Sequence, residues 1–224
     1  GSESPDANGS DPLAAIRSTA EVALGVNRTS EEYENILEDV IEECSSLDYL
    51  VNQLLVLSES EADRIRIVGE RAPLDDIVTH SCDMFAAVAE SQGIELRTRI
   101  VPAQVEGNRH SLRQVINNLL DNALKYTPSG GEVEITLERN EAEHQAVLRV
   151  ANTGPGMAAY DLPLVFERFY QCDKSRSDRN GRRGTGLGLS ICKSITEAHN
   201  GRIEVESTPG EWTVFTVTLP LATE

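Results

Sequence analysis

The apolar residues of segment 31–63 follow a heptad rhythm. They recur in alternating steps of three and four, which places on one helix face Leu37, Val40, Cys44, Leu47, Val51 and Leu54. This stripe is widened beyond a two-stranded seam by Ile41, Leu50, Leu55 and Leu57. Thr29 and Glu32 precede the stripe with the spacing of a capping box. The segment therefore predicts a long helix with a broad buried face.

A shorter amphipathic helix is predicted before it. Asp11 and Pro12 suit its N-cap and first helical position, and Gly25 suits its end. The short link to the longer helix predicts an antiparallel helical hairpin over residues 11–62, preceded by a tag or disordered segment, 1–10. Two helices cannot bury so wide a stripe alone, so we expect a homodimeric four-helix bundle. The alternative is that the stripe packs on the rest of the same chain.

Helical and strand patterns alternate from residue 63 to residue 222. Helix periodicity occurs at 73–92, about 109–125 and about 186–199, and strand alternation at 65–68, 94–100, 133–137, 147–150, 203–205 and 214–219. The first of these helices is predicted to bury Ile77, Val78, Cys82, Phe85 and Val88, and the second is predicted to bury Leu112, Val115, Ile116, Leu119, Leu120 and Ala123. The order predicts an α/β sandwich with its helices on one face of a mostly antiparallel sheet. The whole chain is expected to be α+β, a hairpin domain followed by this second domain.

Composition narrows the class of protein. The 224 residues include 37 acidic and 20 basic side chains, a net charge of −17, which argues against a nucleic-acid partner because phosphates would be repelled. With 39% hydrophobic residues the chain has enough apolar material for a core. No apolar run approaches the ~20 residues of a membrane span, and no signal peptide is recognisable. The four cysteines lie far apart, so we expect free thiols.

The second predicted helix of this domain carries two asparagines four residues apart, Asn118 and Asn122. That spacing places both amides on one helix face, where their oxygens suit a hard cation such as Mg²⁺. Lys125 adds a charge that can pair with phosphate. Taken alone, such a pair is more often a solvated helix edge.

Two glycine-rich turns follow in the sequence. Asn152 begins the first, directly after a predicted strand, and Gly154 and Gly156 allow the backbone to approach a ligand closely. The second turn runs over residues 184–189 and opens a helix, whose N-terminal N–H groups form an anion site. Its spacing matches neither a dinucleotide-binding fingerprint nor a P-loop. Each turn alone is a weak signal.

A basic stretch lies between these turns. Residues 168–183 contain two acidic side chains and six basic ones, namely Arg168, Lys174, Arg176, Arg179, Arg182 and Arg183. A basic segment immediately before a phosphate-type turn is typical of a lid over a polyphosphate. The alternative is a solvated loop that balances an acidic surface.

Together these motifs resemble the N, G1, F and G2 boxes of sensor histidine kinases, in that order. The resemblance is carried by Asn118 and Asn122, by Asn152 with its two glycines, by the run Phe166-Glu-Arg-Phe169-Tyr, and by Gly184-Thr-Gly-Leu-Gly-Leu. The hairpin resembles the dimerisation and histidine-phosphotransfer domain of that family. The nearest likeness is to its heavy-metal-sensing subgroup.

The resemblance implies a Bergerat ATP-binding fold and the cofactors ATP and Mg²⁺. By it, Asn122 would ligate Mg²⁺, Asn118 would line the triphosphate site, Lys125 and Arg168 would meet phosphates, and Tyr126 would pack on the nucleoside. The remaining nucleotide-binding residues that it implies are Asn152, Gly154, Gly156, Phe166, Phe169, Arg182, Arg183, Gly184, Thr185, Gly186, Leu187, Gly188 and Leu189.

Asn118 bears on the type of reaction. The ATPases that share this fold have a glutamate at the corresponding place, as the general base that activates water. An amide cannot accept a proton near pH 7. The residue therefore favours phosphoryl transfer over ATP hydrolysis.

Two positions depart from the family's pattern. Its phosphoacceptor histidine would fall at Ala7, five residues before Pro12, and the glutamate that follows that histidine would fall at Asn8. The first 79 residues contain no histidine. We therefore predict that this polypeptide does not autophosphorylate. It is expected to be either an engineered or shortened form of a kinase, or a degenerate kinase that retains nucleotide binding. Asn152 stands where most members have an aspartate that accepts from the adenine amino group, which predicts weakened but surviving ATP binding.

The resemblance also implies partners and a location. We expect a homodimer that meets the receiver domain of a response regulator, with no nucleic acid and with a membrane reached only through a region N-terminal to this chain. By the same resemblance, the chain is expected to be the cytoplasmic domain of a bacterial inner-membrane sensor. The alternative function is a non-catalytic ATP-binding dimer scaffold that docks a response regulator.

Overall fold

The computed structural model describes residues 71–172 and 186–223, together with Ala23, Thr29, Glu32, Tyr33, Ile36, Leu37 and Val40. The chain divides into two compact units, Gly1–Leu55 and Val56–Glu224. The domain boundary expected at residues 62 and 63 remains a prediction.

In the first unit, the described residues contain the predicted capping box. The Thr29 backbone N–H donates to Glu32 Oε2 at 2.8 Å, and the Glu32 N–H donates to Thr29 Oγ1 at 3.3 Å. The reciprocal bonds satisfy two donors at the start of a helix, and Glu32, Tyr33, Ile36, Leu37 and Val40 are helical. The rest of the hairpin and its dimer, like the strand predicted at 65–68, lie outside the described residues.

The second unit contains seven strands and three helices in its described residues. In chain order these are β1 (Arg71–Pro73), α1 (Leu74–Gln92), β2 (Glu95–Ile100), β3 (Gln104–Glu106), α2 (Arg109–Tyr126), β4 (Glu132–Asn140), β5 (Gln145–Thr153), α3 (Gly188–Ala198), β6 (Arg202–Ser207) and β7 (Trp212–Pro220). Every helix predicted for this unit is present. The short pair β1 and β3 was not predicted.

Five of the strands form one mixed sheet in the order β2-β4-β5-β7-β6. Only β2 and β4 run parallel, and the other neighbours are antiparallel. The register aligns Ile135 with Val150 and Val150 with Phe215, and all three are buried. This row lies on the face that the helices cover, which confirms the predicted sandwich.

Helices α1 and α2 bury the faces that the periodicity predicts, with one correction on α1. On α2 the predicted core residues Leu112, Val115, Ile116, Leu119, Leu120 and Ala123 are all buried. On α1, Ile77, Val78 and Cys82 are buried, but Phe85 is only half-buried and Val88 is 42% exposed. The last two were predicted to face the core; the distal half of α1 buries Ala89 instead.

Of the described helices, none combines the length and the apolar character needed to cross a membrane.

Candidate nucleotide-binding site

Helix α2 carries the asparagine pair, and a side-chain cap fixes its start. Asn108 Oδ1 accepts from the backbone N–H groups of His110 at 2.9 Å and Ser111 at 3.0 Å. These bonds satisfy donors that the first turn of a helix leaves without partners. The cap therefore sets where along the chain the helix begins, and with it which residues face the site.

Asn118 connects α2 to the glycine turn at the start of α3. Its side chain is 6% exposed, and Nδ2 donates to the Gly188 backbone carbonyl at 3.3 Å. The Cys192 thiol also lies beside Asn118, where burial raises the pKa of the thiol to about 12 and the Asn118 hydrogen bond opposes that rise. Two motifs 70 residues apart in sequence thus meet through one amide.

The next turn of α2 brings three more predicted residues toward solvent. Asn122 and Lys125 are half-buried, and Tyr126 is 50% exposed. The Lys125 ammonium lies 5.7 Å from the centroid of the Tyr126 ring, within the range of a cation–π contact. The helix therefore presents an amide, a cation and an aromatic ring along its C-terminal half.

Asn152 lies near the end of β5, on the buried face of the sheet. Its register partners are Val133 on β4 and Thr213 on β7, and it is 5% exposed. The side-chain Nδ2 donates to the Thr153 backbone carbonyl at 3.2 Å. This bond orients the amide, so that Oδ1 is the atom that can accept from a ligand.

The loop after β5 packs closely on the C-terminal end of α2. A Cβ atom on Gly154 would lie 2.5 Å from the Tyr126 carbonyl oxygen, so only glycine fits there. The Gly154 N–H donates to the Glu211 carbonyl at 3.0 Å, and the turn continues through Gly156 with φ of +67°. The first glycine turn and the asparagine helix are therefore neighbours.

The second glycine turn packs against the backbone of Phe169. The Phe169 N–H donates to the Gly186 carbonyl at 2.9 Å, and a Cβ on Gly186 would lie 2.6 Å from the Phe169 carbonyl carbon. Gly186 has φ of +69°, a conformation that also favours glycine. Leu187 is fully buried as the N-cap of α3 and provides no side-chain cap, and Gly188 and Leu189 begin the helix.

The predicted F-box residues differ in exposure. Phe166 is half-buried and meets Phe215 of β7 edge to face, with ring centroids 6.3 Å apart. Arg168 is exposed, and Phe169 is 67% exposed with φ of +63°. Phe166 thus packs against the sheet, whereas Arg168 and Phe169 extend toward solvent. The predicted residues Arg182, Arg183, Gly184 and Thr185, and the position Ala7, lie outside the described residues.

His199, which belongs to none of the predicted motifs, is buried, with 2% exposure. Its Nδ1 lies 2.7 Å from the Ile195 carbonyl, while Nε2 accepts from the Asn108 N–H at 3.1 Å. This pattern requires a neutral imidazole with its proton on Nδ1, and burial lowers the pKa of His199. The histidine links the end of α3 to the capped start of α2.

The groups that these elements gather suit a magnesium–nucleotide better than a metal held by the protein alone. In the described ranges, no three or more His, Cys, Asp or Glu side chains are placed to hold a metal ion. The backbone N–H groups at the N-terminus of α3 suit a phosphate, Asn152 Oδ1 suits an exocyclic amine, and the Asn122 amide oxygen suits a hard cation.

Residues 107–223 match the family of histidine kinase-, DNA gyrase B- and HSP90-like ATPases. The sensor histidine kinase CusS of Escherichia coli K12 is 36% identical over 211 residues, which are 93% of this chain and 42% of that protein. The sensor histidine kinase RppB of Synechocystis is 35% identical over 94% of this chain and 46% of its own length. The chain thus spans less than half the length of these curated relatives.

Solved structures show the same fold. The mycobacterial sensor histidine kinase MprB is 30% identical with a TM-score of 0.60, over 69% of this chain and 100% of that one. The histidine kinase AdeS of Acinetobacter baumannii has a TM-score of 0.76 at 21% identity, over 95% of this chain and 96% of that one. Histidine kinase ThkA, in a complex with response regulator TrrA, has a TM-score of 0.71 at 22% identity, over 95% of this chain and 58% of that one.

The fold and its four motifs define an ATP-binding domain of the Bergerat type. The chain belongs to the histidine kinase-, DNA gyrase B- and HSP90-like ATPase family, in which it has the core of a sensor histidine kinase. The predicted resemblance and fold class are therefore confirmed.

Proposed function

We propose that the second unit binds Mg²⁺–ATP for phosphoryl transfer to a histidine of the kinase to which this chain belongs. The observation that carries the proposal is the hydrogen bond from Asn118 to Gly188, which joins the asparagine helix to the glycine turn. Neither motif alone is specific, but a phosphate on the N-terminus of α3 would lie beside the asparagine face of α2.

In this proposal four predicted side chains and the start of α3 contact different parts of the nucleotide. Asn152 accepts from the adenine amino group, while the backbone N–H groups at the start of α3 and the charges of Lys125 and Arg168 hold phosphates. Asn122 provides an oxygen ligand to Mg²⁺. When bound, Mg²⁺ stabilises charge on the phosphoryl group that is transferred.

Asn118 keeps the reaction away from hydrolysis. Its amide donates to Gly188 and is buried, and it cannot accept a proton from water near pH 7. The domain therefore binds ATP without a general base at position 118 to activate water. The phosphoryl group is then transferred to an acceptor other than water.

The acceptor is absent from this polypeptide, since alanine stands at position 7. The nucleophile in this transfer is an imidazole nitrogen, and an alanine side chain has no nucleophilic atom. The chain alone is thus expected to bind ATP without phosphorylating itself. The double substitution Ala7→His with Asn8→Glu restores the expected histidine–glutamate pair, and we expect acid-labile phosphate to accumulate on that variant from radiolabelled ATP.

The missing histidine also favours a second candidate, a non-catalytic ATP-binding dimer that docks a response regulator through its hairpin. A variant with the restored pair that binds ATP but stays unlabelled would favour this scaffold. The proposal includes a homodimer and a receiver-domain partner in both cases. It also includes a place on the cytoplasmic side of a membrane sensor, reached through sequence N-terminal to this chain.

Calorimetric titration with a non-hydrolysable ATP analogue tests nucleotide binding directly. We expect saturable binding that tightens when Mg²⁺ is added, and we expect Asn122→Ala to remove the magnesium-dependent gain. Gln114→Ala is the matched control, because it also shortens a half-buried amide of α2, about two turns before Asn122. A wild-type chain that does not bind the analogue would contradict the proposal.

A further inference from the structure

A buried carboxylate holds together the two ends of segment 161–170, which contains the F-box run. Asp161 is 7% exposed, and one of its oxygens, Oδ1, accepts from the Tyr170 hydroxyl at 2.5 Å. The Asp161 backbone carbonyl also accepts from the N–H groups of Leu164 and Val165, so a turn begins at this residue. Asp161 thus fixes the turn at the start of segment 161–170 and also the Tyr170 side chain at its end.

The backbone beside Tyr170 is in direct contact with Gly186. A Cβ atom on Gly186 would lie 2.9 Å from the Tyr170 carbonyl oxygen and 2.6 Å from the Phe169 carbonyl carbon. The Phe169 N–H also bonds to the Gly186 carbonyl. Any displacement of residues 169–170 would therefore move the turn that leads into α3.

The conformation of Phe169 needs such an anchor. Its φ of +63° is left-handed, which costs an aromatic residue ~1–2 kcal/mol, and its ring is 67% exposed, so little side-chain packing offsets that cost. The bond from the next residue to a buried carboxylate holds the chain in this conformation. The same bond raises the pKa of Tyr170 to about 12, so the hydroxyl remains a donor throughout the neutral range.

We infer that Asp161 and Tyr170 are positioning residues for the phosphates of ATP, because they hold the Phe169–Tyr170 backbone against Gly186 and so fix the start of α3. The inference rests on the proposed function. Neither residue contacts the nucleotide in this arrangement. They act through the backbone N–H groups that α3 offers to a phosphate.

The test compares a triphosphate with a monophosphate. Wild type, Tyr170→Phe, Asp161→Ala and Asp161→Asn are each titrated with a non-hydrolysable ATP analogue and with AMP, by displacement of a fluorescent adenine nucleotide in the presence of Mg²⁺. We expect Tyr170→Phe to weaken binding of the triphosphate analogue about three- to tenfold, because the free energy of this charge-assisted hydrogen bond is transmitted to the phosphate site only in part. AMP lacks the β- and γ-phosphates that would reach the start of α3. Its affinity should therefore change by less than about twofold.

Further variants distinguish positioning from general stability. Asp161→Asn keeps an acceptor oxygen for the Tyr170 hydroxyl but loses the charge, so its affinity for the analogue should lie between those of wild type and Asp161→Ala. Asp161→Ala should behave like Tyr170→Phe. The double variant Tyr170→Phe with Asp161→Ala should be no weaker than either single one, because both remove the same bond. Tyr160→Phe is the control, since Tyr160 is 76% exposed.

Equal weakening of the analogue and AMP in Tyr170→Phe would mean that the pair only supports the fold, and would overturn the inference. Unchanged binding of both ligands would overturn it too. A wild-type chain that binds neither nucleotide would overturn the proposed function, and the inference with it. The two failures are therefore distinguishable in one set of titrations.

Discussion

At the scale of single residues, a substitution at Asn152 tests directly whether this side chain binds adenine. Asn152→Asp is expected to tighten the ATP analogue about fivefold, because a charged acceptor adds ~1 kcal/mol to a hydrogen bond. The variant should also have a lower melting temperature without nucleotide. A buried carboxylate cannot donate to the Thr153 carbonyl as the amide does.

Calorimetry and thermal unfolding measure both effects. Asn140→Asp is a suitable control, because Asn140 uses Oδ1 as an acceptor, from the Glu143 N–H, in an exposed turn. Its carboxylate can make the same bond, so neither the affinity nor the melting temperature should change appreciably. Unchanged or weaker nucleotide binding in Asn152→Asp would mean that this side chain does not face adenine.

His199 predicts a pH dependence of stability. Burial lowers the pKa of His199 in the folded chain, so the unfolded chain takes up this proton first as the pH falls. The stabilisation is therefore complete above the unfolded pKa of ~6.5 and is lost as the pH falls through the folded value. Each pKa unit between the two states costs about 1.4 kcal/mol of unfolding free energy.

Urea unfolding at pH 7.5 and pH 5.5 tests this dependence. At pH 7.5, His199→Gln should be less stable than wild type, because the histidine's bonds to Ile195 and Asn108 are disturbed. From pH 7.5 to pH 5.5, however, the variant should lose less stability than wild type does. His80→Gln, at an exposed histidine of α1, should lose as much as wild type. An equal loss in His199→Gln would contradict the assignment.

At the scale of elements, the start of α3 predicts a difference between two glycines. Gly186 and Gly130 both have positive φ, +69° and +82°, so alanine costs ~1–2 kcal/mol of backbone strain at either. A Cβ atom on Gly130 would have no other atom within 4 Å, whereas one on Gly186 would meet the Phe169 backbone at 2.6 Å. Gly186→Ala must therefore displace backbone as well.

We expect Gly130→Ala to lower stability slightly and to leave nucleotide affinity unchanged. Gly186→Ala should lose more stability and weaken the ATP analogue at least tenfold, since the start of α3 moves. Chemical unfolding and calorimetry of both variants check this. Equal losses in the two variants would show that the contact with Phe169 has no part in binding.

The elements themselves were largely predictable from sequence because their signals are local. Helical periodicity defines α2, whose predicted core face is all buried, and alternation defines β4 and β5. The short pair β1 and β3 was missed, since three residues carry no periodicity. Phe85 and Val88 were placed in the core by helical spacing alone, which cannot show where a neighbouring element ends.

The site was predictable for a different reason and to a smaller extent. Asn118, Asn152 and Gly186 were predicted as site residues because their residue types suit nucleotide binding at these spacings, and their roles remain predictions. Asp161 and His199 carry no such signal, since an aspartate in a loop and a histidine at a helix end are common. Only the folded chain shows that they anchor neighbouring elements.

At the scale of the whole molecule, all described site residues belong to one of the two compact units, Val56–Glu224. The core of that unit is continuous from α1 to β7, and the capped helix start at Thr29 belongs to the other. Nucleotide binding and dimerisation are thus proposed to reside in different parts of the chain, and cutting between them should separate the two.

The polypeptide 56–224 is therefore expected to fold alone and to bind the ATP analogue within about twofold of the full chain, because no described site residue is removed. It should be a monomer by light scattering, whereas the full chain should be a dimer through its hairpin. Asn122→Ala in the shorter polypeptide is the control for specific binding, and it should lose the magnesium-dependent gain there too. A folded 56–224 that no longer binds the analogue would show that the hairpin contributes to the site, and a dimeric 56–224 would place the dimer contact in the second unit.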